Sequence, residues 1–438
     1  MMLLPLLTLV CTVGVPCRPP SRAPDSAGMS ASRLETVDRV MKRGVEAEGF
    51  PGAAVVIGRR DQTVLSRGYG TLDWSRSSAA VSPERTLYDL ASLTKVVATT
   101  AAVMVLYDEH RIALDAPVSR YLPAFSRGAK TRVTIRELLE HRSGLPAGRN
   151  LAHLTHFVPS PARARELVLS TTLEYEPGTA ELYSDVGMDV LGFVVEAIAH
   201  QPLDRFVQRR IFAPLAMTST GYRPDAVRRG RAAPTECNSS RGHPLKGEVH
   251  DGDAYALGGV AGHAGLFSTA SDLARFAQML LDGGTLEGRR IIADSTVALF
   301  THRSAGWRAL GWDTCAGGAS CGQHMSERAY GHTGFTGTSL WIDPDRGLYV
   351  IVLANWLHER PDGLTPPIAI LADVRADVAD IATLAADSDR AEPSEWRADR
   401  EIGWKPERAE FSQMPARTPG SPDSIPSRRG VSRERALP

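Results

Sequence analysis

The stretch that most constrains this chain is 89–107, DLASLTKVVATTAAVMVLY, which is apolar at almost every position from Leu93 onward yet carries Lys95. A helix of that composition is buried around most of its circumference, and a buried helix has no ordinary use for an amine. Lys42, Lys95, Lys130, Lys246 and Lys405 are the only lysines, although Lys and Arg together number 50, so a plain positive charge is normally written here as Arg. Unlike arginine, lysine can lose its proton when desolvated, and a neutral amine in an apolar pocket is a competent base. Ser92 lies three residues earlier, so on a helix its hydroxyl and the Lys95 amine share one face. A Ser in the first turn also has a backbone N–H with no intrahelical partner, at the positive end of the dipole, where an oxyanion can be received. The plainer account is an N-terminal Ser beside a Lys that snorkels to solvent. The apolar surroundings argue against it, as does this being the single Ser-x-x-Lys in the chain.

The chain has 438 residues, 43% of them hydrophobic, enough for a substantial core and more than one ordinary domain. Fifty acidic and fifty basic residues cancel, so nothing in the charge points to nucleic acid or an anionic membrane as partner. The Arg-rich spots at 205–210 and 228–231 read as solvated surface. Residues 2–15, MLLPLLTLVCTVGV, are apolar but too short to span a bilayer, and Pro/Ser/Arg-rich sequence follows. An export signal with its linker is therefore expected over 1–28, and an exported, periplasmic or secreted protein with it, although no basic residue precedes the apolar run. Lipoprotein anchoring at Cys11 or Cys17 is disfavoured by Val10 and Pro16, which stand where a small residue is usual. Export makes disulfides available, and Cys315 and Cys321, which flank a Gly/Ala/Ser loop, are expected to close it, whereas Cys237 is isolated. No cysteine pair has metal-ligand spacing and no His-Glu-x-x-His occurs; His153 and His156 lie in loop-like sequence. Neither metal nor other cofactor is expected.

Helical periodicity covers 30–49, and two strand-like runs, 52–60 and 62–70, follow as a hairpin about Asp61. From about 100 to 300 the signals are mostly helical, at 133–142, 161–170, 185–199, 203–212 and 271–282. Strands return at 337–344 and 348–356, and a helix is expected over 365–385. This order predicts an α+β fold: an antiparallel sheet formed by both ends of the chain, flanked by helices, with a large, mostly helical lobe inserted. The sheet and lobe together are expected to make one domain over 29–386, with a cleft where they meet. Residues 387–438, rich in Pro, Ser, Arg and Glu, read as a disordered tail, although Trp396 and Trp404 hint at docking.

Tyr183-Ser184-Asp185 stands at the entrance of the 185–199 helix, and His332-Thr333-Gly334 heads a strand. Each is weak alone, but the three in order, Ser-x-x-Lys, Tyr-x-Asp and His-Thr-Gly, are far from a chance combination. With them go TIRELLEHRSGLP at 134–146, PGTAELYSDVGMDVLG at 177–192 and AYALGGVAGHAGLFSTASDLARF at 254–276. From about residue 33 to 357 the chain resembles the serine hydrolases of the class C β-lactamase and penicillin-binding-protein type, which include D-alanyl-D-alanine carboxypeptidases and family VIII carboxylesterases. The 250–276 stretch looks especially like the branch linked to bacterial cell-wall turnover. The resemblance implies a β-lactamase/transpeptidase-like fold, Ser92 as acylated nucleophile, Lys95 as its activator and Tyr183 as general acid/base. It implies an oxyanion hole from the backbone N–H groups of Ser92 and Phe335, with Asp185, His332, Thr333 and Gly334 on the substrate.

Two departures bear on substrate. Where the lactamases usually have Asn, Asp185 is acceptor-only when ionised and can pair with Lys95. Where they usually have Lys, His332 is mostly neutral at pH 7 and anchors a carboxylate weakly. Both point away from strong β-lactam turnover and towards an esterase or cell-wall peptidase taking a small-molecule or peptide substrate; a β-lactamase and a catalytically weak penicillin-binding sensor are the alternatives. GASCG at 318–322 also matches Gly-x-Ser-x-Gly, with Ser320 as nucleophile. That motif works as a turn from a buried strand into a helix, and neither flank has that character. The oligomeric state is not legible in the sequence.

Overall fold

The run GAAVVIG is continuously apolar instead of alternating, the pattern of a strand covered on both faces. The computed structural model, which describes residues 23–399 apart from 238, 305, 318, 319 and 388, places it inside a six-stranded antiparallel sheet. The strands are β1 (Gly52–Arg59), β2 (Gln62–Gly70), β3 (Asp313–Thr314), β4 (Tyr330–Gly334), β5 (Thr338–Asp343) and β6 (Leu348–Ala354). Their spatial order is β3-β4-β5-β6-β1-β2, so both ends of the chain share one sheet, with Val55 opposite Val352.

The principal helices are α1 (Ala31–Glu46), α2 (Ala101–Asp108), α3 (Asp185–Ala199), α4 (Ala270–Leu281) and α5 (Ile368–Ala386). Successive residues of β1 face opposite sides, and the core divides accordingly. Ala53, Val55 and Ile57 join Leu34, Val37 and Val40 of α1 and Leu371, Val374 and Val378 of α5. Ala54 and Val56 join the larger core that contains Phe276 and Leu280 of α4 and runs on through α2 and α3 into the helical lobe. The layered α+β architecture expected from the element order is thus present, with the lobe between β2 and β3. Local signals act where expected: Thr269 caps α4 by accepting from Asp272 N, two residues ahead of the expected Ser271 start, and Gly283 in a left-handed conformation follows its end. The helix expected over 133–142 is shorter, Ile135–Leu139, and begins at a capping box of Thr134 and Glu137.

The body reaches past 29–386 on both sides. Ala27 and Met29 are buried, and Ser30 N donates to Ala385 O at 2.9 Å, so packing starts at the turn Pro24–Ala27. At the other end Trp396 is 4% exposed, and Arg397 lies 2.8 Å from both Asp377 and Asp380 of α5. Residues up to Asp399 therefore belong to the body and not to a tail, because one ring and one guanidinium hold them without any apolar periodicity. The apolar run at 2–15, Trp404 and the rest of the segment from 400 lie outside the described residues. Within them no helix is long and apolar enough to cross a membrane. Cys315 and Cys321 are joined in a disulfide, with Cα atoms 5.9 Å apart. Ser320 lies on a turn within that loop, followed by further turn and not by a helix, so it is not a nucleophile elbow.

Truncation after Ala386 removes Arg397 and leaves the buried Asp377 and Asp380 carboxylates without it. The truncated protein should lose about 3–5 kcal/mol of stability, the usual cost of stranding a buried charge. Urea unfolding of the two forms measures this; coincident midpoints would show the segment contributes nothing.

Candidate active site

Ser92 sits on a tight turn immediately before the buried helix, which starts at Leu93, runs through a π-helical stretch Lys95–Thr100 and continues as α2. Asp89 shapes the turn: one carboxylate oxygen accepts Ala91 N at 2.9 Å and the other accepts His250 N at 2.6 Å. Burial pushes the Asp89 carboxyl up to about 6, against the pull of these two donors. Ala91 is held at φ 45°, a left-handed conformation uncommon for a residue with a Cβ, immediately before Ser92.

Lys95 has no solvent exposure, and its ammonium finds three acceptors. Nζ donates to Ser92 Oγ at 2.9 Å and to His263 O at 3.1 Å, and it faces Asp185 Oδ1 at 2.7 Å. Burial is the largest influence on this amine and favours the neutral form, but the Asp185 carboxylate and then Tyr183 outweigh it, so its pKa lies above the ordinary lysine value. The expectation of a neutral resting amine is therefore overturned. Desolvation alone would favour the neutral amine, but Asp185 supplies a counter-charge at 2.7 Å. Tyr183 precedes α3, whose N-cap is Ser184 and whose first residue is Asp185. Its ring centroid lies 4.8 Å from Lys95 Nζ, and burial raises the pKa of its hydroxyl against the opposing effect of the Lys95 charge.

The strand β4 and its turn into β5 are bolted to the Ser92 turn. Thr336 Oγ1 donates to Asp89 O at 2.6 Å, and Thr338 Oγ1 donates to Leu90 O at 2.9 Å. Gly334 makes this approach possible, since a Cβ there would lie 2.3 Å from Leu90 O. Among the described residues no hydrogen bond engages the backbone N–H of Ser92 or of Phe335.

Ser92, Lys95 and Tyr183 lie together at the entrance of the buried helix, and the chain matches the Beta-lactamase family over residues 37–411. It belongs to that family. A relative from Escherichia coli (strain K12), named "Putative D-alanyl-D-alanine carboxypeptidase", is 33% identical over 396 residues, covering 82% of this chain and 91% of the relative. A penicillin-binding protein homolog from Caulobacter crescentus superposes with a TM-score of 0.65 at 20% identity, over 82% of this chain and 99% of that one. EstCE1, titled a hydrolase with promiscuous acyltransferase activity, gives 0.61 at 22% identity over 80% and 99%. The last two likenesses are of fold. Together with the family membership they make this chain a β-lactamase-related serine hydrolase with a penicillin-binding-protein-like fold.

Within the family site, His332 of β4 packs beside Tyr183 with ring centroids 6.0 Å apart, but it is 3% exposed. Burial lowers its pKa, and the Asp313 carboxylate at 3.8 Å only partly offsets this. Its burial thus holds the ring towards the neutral form expected of it at pH 7. Thr333 and Gly334 follow it on the strand, Thr333 O lying 2.7 Å from His332 Nδ1. Phe335 is 63% exposed and stands against His250 and Trp356.

Several contributors carry no motif that marks them in sequence. His141 Nδ1 accepts Ser184 N at 3.0 Å and its ring lies 4.7 Å from that of Tyr183; burial holds it neutral. Arg308, paired with Glu181 at 2.8 Å and with Asp313, covers the Tyr183 ring at 5.4 Å. His263, the residue whose carbonyl receives Lys95, is clamped between Asp189 at 2.7 Å and Asp251 at 2.9 Å. Its burial opposes charge, yet the Asp189 and Asp251 carboxylates prevail and raise its pKa well above the ordinary value. AGHAG at 261–265 lies within a stretch that shaped the resemblance, but the partners of His263 were not visible there.

A folded-state pKa above the unfolded value of about 6.5 means that the His263 contribution is complete below that pH and is lost only as pH rises through the folded value. His263→Asn should therefore cost about 3–5 kcal/mol by leaving two carboxylates uncompensated. The deficit should be as large at neutral as at mildly acidic pH in urea titrations; a deficit that has vanished by neutral pH would mean a neutral ring.

Proposed function

We propose that this hydrolase acts after export, through an acyl-enzyme on Ser92, on an ester or D-amino-acid amide of the kind met in cell-wall peptide turnover. The observation that carries the reading is the 2.9 Å contact of Lys95 Nζ with Ser92 Oγ, with the Tyr183 ring centroid 4.8 Å from the same amine. A weak alcohol nucleophile needs a proton acceptor, a donor for the leaving group and two N–H groups for the oxyanion. In acylation Ser92 Oγ attacks the carbonyl carbon, its proton passes to the Lys95–Tyr183 pair, and the carbonyl oxygen is received by Ser92 N–H and Phe335 N–H. Tyr183 then protonates the leaving alcohol or amine. Water repeats the cycle on the acyl-serine and frees Ser92.

Both cations against Tyr183 are committed to carboxylates, Lys95 to Asp185 and Arg308 to Glu181 and Asp313, and His332 is neutral. This supports neutral esters over carboxylate-bearing substrates, while the carboxypeptidase name of the relative supports a D-amino-acid amide. The disulfide at 315–321 supports an oxidising compartment.

Ser92→Ala should abolish turnover and fluorophosphonate labelling, whereas Ser320→Ala should leave both intact; the reverse pattern would overturn the assignment. Lys95→Arg should be nearly inactive, because a guanidinium keeps the charge but cannot exchange the proton.

A third expectation concerns pH. Lys95 and Tyr183 both hold their protons at rest, so the active form is the fraction in which the pair has released one, and kcat/KM should still be rising on the alkaline side of neutrality. Asp185→Asn removes the main influence that raises the Lys95 pKa and leaves burial to lower it, so the rising limb should move to lower pH. A pH profile of nitrophenyl-ester hydrolysis tests this, and an unmoved limb in Asp185→Asn would assign the limb to another group.

A further inference from the structure

Away from the nucleophile, two loops bring together three different donors. Cys237 follows the short strand Pro234–Glu236, while His358 and Glu359 follow β6. Cys237 Sγ lies 3.4 Å from His358 Nδ1, and Glu359 Oε2 accepts the Cys237 N–H at 2.6 Å. A sulfur, a ring nitrogen and a carboxylate oxygen from the three residues all lie within 4.8 Å of one another. In a tetrahedral zinc site with Zn–S of about 2.3 Å and Zn–N of about 2.0 Å, the S···N separation is about 3.5 Å. The observed spacing of the thiol and imidazole already has that value.

The donors are held in place by contacts that do not involve them chemically. Asn355 Nδ2 donates to Leu72 O at 2.9 Å and Pro234 O at 2.8 Å, which ties the loop after β6 to the start of the strand that leads into Cys237. Trp74 Nε1 donates to His358 O at 3.1 Å, and His358 is 7% exposed. The carboxylates of Asp73 and Glu236 act on the same point. A thiol that merely fills space does not need an imidazole and a carboxylate aimed at it from a segment 121 residues away, in a field made negative by two more acids.

We propose that Cys237, His358 and Glu359 bind a zinc ion, or a divalent cation of similar affinity for thiolate, with a fourth position open to water. The Cys237 thiol gives up its proton as the metal–sulfur bond forms, so one proton leaves to solvent per ion bound. The carboxylate arm moves by about 1 Å to complete the tetrahedron. The ion joins the two loops and flanks the cleft: Glu236, next to Cys237, is 3.7 Å from His250, whose ring stands 6.0 Å from that of Phe335. It holds no atom of the Ser92 machinery, so its role is to fix this wall.

The test uses the full chain, treated with a chelator and titrated with cobalt(II), then zinc(II). The expected result is one equivalent of cobalt with a thiolate-to-metal charge-transfer band, displaced by zinc. Cys237→Ser should lose the band, and His358→Ala should weaken zinc binding by more than about 100-fold, the upper end of what removing an outer-sphere partner costs. Both variants should keep fluorophosphonate labelling at Ser92, which reports that they are folded. A wild-type protein that is folded and labelled yet shows no thiolate band at millimolar cobalt would overturn the proposal. So would a band of equal intensity in Cys237→Ser, which would come from another thiol. The wild-type spectrum decides the matter even where a variant fails to fold.

Discussion

At the heart of the molecule an ammonium group with no solvent exposure faces a single carboxylate across 2.7 Å. Burying an ion costs several kcal/mol even after relaxation, so Lys95 is tolerable only if its partners are in place before anything binds. Much of the lobe meets that demand. Asp185 is delivered by the first turn of α3, and the carbonyl of His263 comes from a loop pressed against the same helix. Gly262 allows the contact, since a Cβ there would lie 2.0 Å from Met188 O. Thr99, one turn after Lys95, donates to Gly262 O at 2.6 Å and closes the arrangement from the other side.

A second constraint is the joining of two segments distant in the chain, the helix entrance at Ser92 and the β4–β5 turn at Phe335, neither of which is rigid by its own sequence. Thr336 and Thr338 bind the carbonyls of Asp89 and Leu90, and Gly334 lets the two backbones approach. Trp356 Nε1 donates to Phe335 O, which fixes that peptide from behind. The His263–Asp189–Asp251 clamp has the same character one layer deeper: it pins the carbonyl that receives Lys95.

Where periodicity dominates, the sequence was a sound guide. The 161–170 and 185–199 helices and the 52–60 and 62–70 hairpin lie close to where apolar spacing puts them, because each buries one face or both against a sheet or a helix. Ser92, Lys95 and Tyr183 stood out as candidates because an amine in an apolar run and a Tyr at a helix entrance sit in local patterns, and the structure brings the three together. The charge on Lys95 was not, since apolar neighbours alone argue for the neutral form and Asp185 is 90 residues away in the chain. His332 was read as cleft lining because a strand pattern does not tell how deep an end residue lies. The segment through Asp399 was read as tail because one buried Trp and one Arg leave no periodic trace.

By itself, then, the sequence determined which stretches become helix and strand and which side chains stand as candidates to attack, activate and protonate, since these depend on residue type and short spacing. Only the tertiary structure decided their states. Protonation depends on which charge stands within a few ångströms, and burial depends on what the rest of the chain packs over a group. It was likewise the fold that brought Cys237 to His358 across 121 residues, turning a cysteine with no neighbour in sequence into one of three converging donors.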